Sequence, residues 1–114
     1  DVTLWGSGTP MREFLFVDDM AEAVVFALEN DLPEHLYNIG TGKDITINEL
    51  AEIIQKITGY KGEIIWDSKK PDGTPRKLMD VSKMKELGWA YSTELQQGIE
   101  RTYAWFLENL KFIN

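Results

Sequence analysis

The sequence predicts an α/β or α+β unit in which short strands alternate with three main helices. Two observations predict this class. Apolar residues recur at helical spacing in three segments, and short β-branched or aromatic runs bounded by Gly and Pro lie between them. The chain has 114 residues, of which 43% are hydrophobic and 27% are charged. A chain of this size buries one modest core, so we expect residues 1–114 to form a single domain.

The strand-like runs are short and end at turn-forming residues. We expect strands over residues 2–5, 13–17, 36–39 and 63–66. The helical segments have plausible start and stop residues. We expect helices over 19–30, from Thr46 or Asn48 to Gly59, over 82–88, and from Thr93 to the C-terminus, with Asp18 or Asp19 capping the first.

Composition excludes several classes of function. A formal net charge of −7 argues against binding to nucleic acids. The absence of Cys and the presence of one His argue against a metal site and against disulfides, so we expect a cytoplasmic protein. The longest apolar runs, 14–17 and 23–28, are too short to span a membrane.

The sequence carries no set of residues typical of an active site. Gly40-Thr41-Gly42 lacks the third Gly of a dinucleotide fingerprint and is better explained as a turn. No Tyr is followed by Lys four residues later, a spacing that would form an acid–base pair on one helix face. His35 lies in a polar connection and is expected to be solvated. We therefore expect no catalytic, cofactor-binding or metal-binding residue in this chain.

Positive charge is concentrated between residues 68 and 77, where four cations accompany a single carboxylate, Asp72. The cations are Lys69, Lys70, Arg76 and Lys77. A cationic loop at residues 68–77 of an otherwise acidic chain is suited to binding an anion such as phosphate. The alternative is a solvated loop whose cations pair with acidic residues elsewhere on the surface.

Arg12 and Trp5 flank the first turn. Arg12 follows a Gly/Pro turn and precedes a strand-like run, which would hold its guanidinium at a fixed place. Trp5 ends the first strand-like run, and its pattern alone favours a place in the core.

Several segments with recognisable motifs follow one another over nearly the whole chain: Trp5 to Leu15, Val17 to Ala21, Asn38 to Gly42, Lys70 to Lys77, and Asp80, Lys83 and Leu87-Gly88-Trp89. In this order they closely resemble the C-terminal portion of the GDP-L-fucose synthase family, which belongs to the extended short-chain dehydrogenase/reductases. The Arg-Glu-Phe-Leu and Val-Asp-Asp segments are typical of the superfamily, whereas the first turn and the cationic loop are specific to the GDP-sugar enzymes.

The resemblance implies an NADP-dependent enzyme that converts GDP-4-keto-6-deoxy-D-mannose into GDP-L-fucose by epimerisation and reduction. It implies that Trp5 and Arg12 face the diphosphate and sugar, and that Asp72 and Lys77 serve the nucleotide. Arg76 is a weaker candidate for the diphosphate. A carboxylate at position 72 can accept the adjacent N–H donors of guanine.

The resemblance also implies that the N-terminal Rossmann domain, which binds NADP, lies outside this chain. The chain opens without Met in a strand-like run, so we expect a piece of a longer protein. The resemblance implies that this longer protein is a homodimeric enzyme and that the piece is inactive by itself.

Two alternatives stay open. The first is another nucleotide-sugar epimerase or dehydratase, which a preference for UDP or dTDP over GDP would distinguish from a GDP-sugar enzyme. The second is a stand-alone, non-catalytic binding module. A reading frame starting near Asp1 would favour the module.

Overall fold

The computed structural model describes residues 1–113 and confirms a mixed α/β architecture of short strands and helices. In chain order the elements are β1 (Val2–Trp5), β2 (Met11–Arg12), α1 (Val17–Glu29), β3 (Ile45–Thr46), α2 (Ile47–Thr58), β4 (Ile64–Asp67), β5 (Arg76–Lys77), α3 (Ser82–Leu87), α4 (Leu95–Glu108) and α5 (Leu110–Ile113).

The strands form two small sheets. In the first, β1 runs parallel to β4, and Trp5 lies opposite Asp67. In the second, β2 is the central strand, antiparallel to β3 and parallel to β5. Its register places Arg12 opposite Lys77. Because directly paired residues project to the same face of a sheet, this short pairing brings two cations from distant parts of the chain side by side.

The second predicted helix is confirmed with its start and stop signals. Thr46 caps α2: its hydroxyl accepts a hydrogen bond from the Glu49 N–H at 3.1 Å, and the Glu49 carboxylate accepts one from the Thr46 N–H at 3.0 Å. This reciprocal capping box satisfies backbone donors that the first helical turn leaves free. Gly59 ends the helix at φ 71°, a left-handed conformation that favours glycine.

The predicted cap of the first helix is wrong. Helix α1 begins at Val17, and the residue at its N-cap is Phe16, which makes no side-chain capping bond. Asp19 is instead only 1% exposed, and its carboxylate accepts hydrogen bonds from the Ser92 hydroxyl at 2.8 Å and the Thr93 N–H at 3.0 Å. Because the helix begins two residues earlier than predicted, Asp18 and Asp19 lie inside its first turn, and the Asp19 carboxylate binds the segment before α4.

Two predicted strands are also wrong. Residues 13–17 do not form one, because the strand ends at Arg12 and the chain then turns into α1. Residues 36–39 are not a strand either, and Leu36 is 75% exposed. A strand needs a neighbour to pair its backbone groups, and residues 1–113 supply none to this segment. The predicted final helix is interrupted, since α4 ends at Glu108 and α5 follows after Asn109.

The core lies between α1, α3 and the connection to α4. Three apolar side chains are buried there, and five partly buried ones pack around them. The buried residues are Ala23, Met84 and Trp89, and their neighbours are Leu15, Phe26, Tyr37, Ile39 and Tyr91. The site segments described below lie outside this cluster, so hydrogen bonds more than apolar burial hold them in place.

Across residues 1–113, every helix falls short of the length and apolar character that crossing a membrane requires. The same residues contain no group of three or more His, Cys, Asp or Glu side chains able to hold a metal ion.

Replacing Asp19 is expected to destabilise the fold more than replacing its neighbour. Asp19→Ala leaves the Thr93 N–H without its partner in a buried place, which typically costs about 1–3 kcal/mol. Asp18 forms an exposed ion pair with Arg101 at 3.1 Å, and such a pair contributes at most about 1 kcal/mol. Urea unfolding of the two variants measures the difference, and equal losses would contradict the role given to Asp19.

Candidate functional site

The turn after β1 is fixed on two sides. Gly6 adopts φ 86°, a left-handed conformation that favours glycine, and its N–H donates to the Asp67 carbonyl at 2.9 Å. The Gly8 carbonyl accepts a hydrogen bond from the Asn48 N–H at 2.9 Å, at the first turn of α2. The turn is thereby held between β4 and α2, which gives its side chains defined positions.

Asp72 is fastened to this turn. Its Oδ1 accepts a hydrogen bond from the Ser7 N–H at 2.8 Å, and its Oδ2 accepts one from the Ser7 hydroxyl at 2.7 Å. The hydroxyl bond and then the N–H bond stabilise the carboxylate and lower the pKa of Asp72. A Cβ at Gly6 would collide with the Asp72 carboxylate, so the turn and the cationic loop are in direct contact.

Arg12 lies beneath the cationic loop and is half-buried. Its Nη1 donates to the Met11 and Thr74 carbonyls, both at 2.6 Å. The Met11 N–H donates to the Pro75 carbonyl at 2.8 Å. Within residues 1–113 the Nε and Nη2 groups of Arg12 make no hydrogen bond. The loop therefore orients the guanidinium through one nitrogen and leaves two others able to bind an anion.

The two cations of β5 have different environments. Arg76 forms an ion pair with Asp44, whose side chain is only 7% exposed, with Nε and Oδ2 separated by 2.7 Å. Lys77 forms no ion pair within the described residues and is exposed. Arg76 therefore behaves as the alternative interpretation of the sequence expects, since it pairs with a carboxylate outside the loop. Lys77 does not, because no carboxylate in residues 1–113 lies close enough to form an ion pair with it.

Trp5 is on the surface. Its side chain is 70% exposed, so the core position that its pattern favoured is wrong. It ends β1 just before the turn, and the Lys70 ammonium lies 5.0 Å from the centre of its ring. This cation–π contact joins the exposed ring to the cationic loop.

Glu13 is a structural residue that the sequence did not single out. Its Oε2 accepts hydrogen bonds from the Gly42 N–H at 2.6 Å and the Thr41 hydroxyl at 3.4 Å, and its Oε1 accepts one from the Met79 N–H at 3.3 Å. Glu13 directly follows Arg12, so it ties the end of β2 to two other segments. Ser7 was missed likewise, because its partner lies 65 residues away in sequence.

The Gly40-Thr41-Gly42 turn does not fit a dinucleotide. The Gly42 N–H already donates to Glu13, and a Cβ at Gly40 would lie 2.6 Å from the Glu13 carboxylate. A negative group therefore occupies the place where a pyrophosphate would need backbone donors. His35 is exposed, as its polar surroundings predicted.

The candidate residues form an open surface rather than a closed pocket. Two clefts of about 640 and 600 Å³ are lined mainly by α2 and α4, and neither includes Trp5, Arg12, Asp72, Arg76 or Lys77. All of the residues from 71 to 80 are exposed.

Comparison with known proteins gives consistent matches. Residues 1–40 match the NAD dependent epimerase/dehydratase family. GDP-L-fucose synthase from Escherichia coli (strain K12) is 54% identical over 119 residues, covering 96% of this chain and 37% of that protein. Putative GDP-L-fucose synthase 2 from Arabidopsis thaliana is 50% identical over 110 residues, covering 96% of this chain and 34% of that protein.

Solved structures share the fold. A GDP-L-fucose synthetase from Naegleria fowleri bound to NADP superposes with a TM-score of 0.89 at 28% identity, covering 96% of this chain and 35% of that one. UDP-glucose 4-epimerase from Thermotoga maritima, with UDP-glucose, gives a TM-score of 0.86 at 32% identity, covering 96% of this chain and 36% of that one. The fold is thus that of a part of the extended short-chain dehydrogenase/reductases, as the motifs implied.

The chain spans about a third of the length of the curated relatives that it matches. Over that third, the similarities in sequence and in fold confirm that it is a homologue of the GDP-L-fucose synthases.

Proposed function

We propose that this chain is the GDP-sugar-binding portion of an NADP-dependent enzyme that converts GDP-4-keto-6-deoxy-D-mannose into GDP-L-fucose by epimerisation and reduction. The observation that carries the proposal is the pairing of Arg12 with Lys77 in neighbouring strands, which sets two cations side by side. The names of the relatives, GDP-L-fucose synthases at about half identity, support the same substrate class.

Each candidate residue has a role that suits its environment. Arg12, with its free guanidinium nitrogens, and Lys77, with its uncompensated charge, bind the diphosphate. Asp72 accepts hydrogen bonds from guanine, since a carboxylate has about four acceptor sites and Ser7 uses two. Trp5 offers an exposed ring to the sugar or base.

Of the five candidate residues, Arg76 is the least suited to contact the substrate directly. Successive residues of a strand project to opposite faces, so Arg76 and Lys77 face opposite sides of the small sheet. The pairing of Arg76 with the buried carboxylate of Asp44 supports a structural role on its own side. We propose that Arg76 adds to the positive electrostatic potential around the diphosphate without contacting it.

We propose that residues 1–114 are a C-terminal substrate-binding domain and that a separate Rossmann domain holds NADP. One apolar stripe along α1 is exposed, which supports a covering partner in a longer chain. The radius of gyration, 16.9 Å, exceeds the value of about 13 Å for a compact domain of this length. The stripe consists of Val17, Met20, Val24 and Leu28, exposed by 68%, 41%, 50% and 82%.

A second candidate is a different nucleotide-sugar epimerase. The similarity to UDP-glucose 4-epimerase from Thermotoga maritima favours it, because that match in fold is nearly as close as the match to a GDP-L-fucose synthetase. The two candidates differ in nucleotide, so binding of GDP and of UDP separates them.

By the same resemblance we propose that the protein at its natural length is a homodimer and acts in the cytoplasm. A chain without Cys gains no stability from an oxidising compartment, which supports the location. Sedimentation of the protein at its natural length tests the dimer.

The 114-residue chain alone is expected not to oxidise NADPH in the presence of the keto-sugar. The Gly40-Thr41-Gly42 turn is occupied by Glu13, and no Tyr is followed by Lys four residues later. Absorbance at the NADPH band should fall no faster with the purified chain than in a blank without protein. A turnover rate proportional to the amount of chain would contradict this proposal and favour a self-contained enzyme.

Arg12→Ala in the protein at its natural length is expected to weaken GDP-sugar binding by roughly ten- to a hundredfold, the effect of losing a charge-assisted hydrogen bond. Arg12→Lys should recover part of this loss, because Lys keeps the charge but not the planar fork. Arg101→Ala is the control, since it also removes an arginine, but one that pairs with Asp18 outside the candidate site. Equal affinities of Arg12→Ala and wild type, measured by calorimetry, would remove Arg12 from the site.

Asp72 and Lys77 are expected to contribute differently. Asp72→Asn should reduce the preference for GDP over UDP by roughly five- to a hundredfold, because the amide no longer accepts both donors of guanine. Lys77→Ala should weaken GDP and UDP alike, because a point charge does not distinguish bases. Competition binding measures both ratios. If wild type and both variants share one GDP/UDP ratio, the loop does not read the base.

A further inference from the structure

Ser7 joins the two segments that are most specific in this sequence, the turn after β1 and the cationic loop. We propose that Ser7 is a positioning residue of the nucleotide site: it holds the Asp72 carboxylate and thereby keeps residues 68–77 folded over Arg12. This inference rests on the proposed function, because it assigns Ser7 a part in binding the same nucleotide.

The contact is a two-point contact. The Ser7 N–H and hydroxyl donate to different oxygens of Asp72, at 2.8 and 2.7 Å, so the carboxylate cannot rotate freely. The Ser7 and Thr9 hydroxyl oxygens lie 2.8 Å apart, a further hydrogen bond that orients the Ser7 side chain. The free acceptor sites of Asp72 therefore point in a fixed direction, which a base needs if it is to be read.

The loop has few other attachments on this side. Thr74 and Pro75 bind β2 through their carbonyls, and Lys70 reaches the ring of Trp5. Between Lys70 and Thr74, Asp72 is the residue whose side chain is bonded to the rest of the chain in residues 1–113. Loss of the Ser7 hydroxyl should thus raise the population of open loop, as expected for an exposed segment with few contacts.

Loss of the Ser7 hydroxyl should also change the position of the Arg12 side chain. Its Nη1 is held by the Thr74 carbonyl at 2.6 Å, two residues after Asp72. When the loop opens, this hydrogen bond is released and the guanidinium loses its orientation toward the diphosphate. Ser7 therefore acts on binding without touching the nucleotide.

The test compares three variants of the protein at its natural length. Ser7→Ala removes the hydroxyl and keeps the N–H, whereas Ser7→Thr keeps both donors. Ser82→Ala is the matched control, because Ser82 also lies beside an aspartate, with its N–H 2.9 Å from the Asp80 carboxylate, but outside the loop. Two quantities are measured: the rate of trypsin cleavage after Lys69, Arg76 and Lys77 without ligand, and the affinities for GDP and UDP by calorimetry.

In Ser7→Ala we expect cleavage in the loop to be about threefold faster or more, since cleavage follows the population of the open form. We expect GDP affinity to fall about three- to tenfold, with a smaller GDP/UDP ratio. Ser7→Thr and Ser82→Ala should match wild type in both measurements. This pattern would support Ser7 as a positioning residue.

Other outcomes overturn the inference. If Ser7→Ala is cleaved at the wild-type rate, Ser7 does not hold the loop. If its loop is cleaved faster while GDP affinity and the GDP/UDP ratio stay at wild-type values, the contact is structural only. A wild type that binds neither nucleotide would overturn the proposed function together with this inference, and that result differs from both of the others.

Discussion

The Glu13 carboxylate links three loop segments: the residues after β2, the Thr41-Gly42 turn and the segment around Met79. It binds the Thr41-Gly42 turn with one oxygen and the Met79 N–H with the other, while its own backbone continues from β2. The central strand of the second sheet has only two residues, Met11 and Arg12, and backbone pairing over so short a length is marginal. The hydrogen bonds of Glu13 therefore support the short β2–β5 pairing that places Arg12 beside Lys77.

The ion pairs distinguish cations with a structural role from cations that are free to bind an anion. Although the chain is acidic, with a net charge of −7, only four of its twelve cations form ion pairs within residues 1–113; Arg76 is one of them, whereas Arg12 and Lys77 are not. Asp44 compensates Arg76 on one side of the small sheet, whereas Lys77 and two nitrogens of Arg12 keep their donors on the other. An anion on that second side would contact both, and this asymmetry supports the proposal that the diphosphate binds there.

The sequence predicted what depends on local chemistry and missed what depends on distant partners. Helix α2 was predicted closely because its end signals are local: Thr46 caps its start and Gly59 ends it. The prediction of a strand at residues 36–39 was wrong because a short apolar and aromatic run does not by itself supply a partner strand. The predicted cap of α1 was wrong because the helix begins at Val17, and the role of Asp19 is a contact with Thr93, 74 residues away. Arg12 and the cationic loop were identified, but Ser7 and Glu13 gave no signal, since their roles exist only when remote segments meet.

A crystal structure of the protein at its natural length with GDP bound tests the account most directly. The account predicts diphosphate oxygens within hydrogen-bond distance of Arg12 and Lys77 and the guanine edge against Asp72, with the Ser7 contact to Asp72 intact. GDP bound elsewhere, with Arg12 and Lys77 left in solvent, would contradict it.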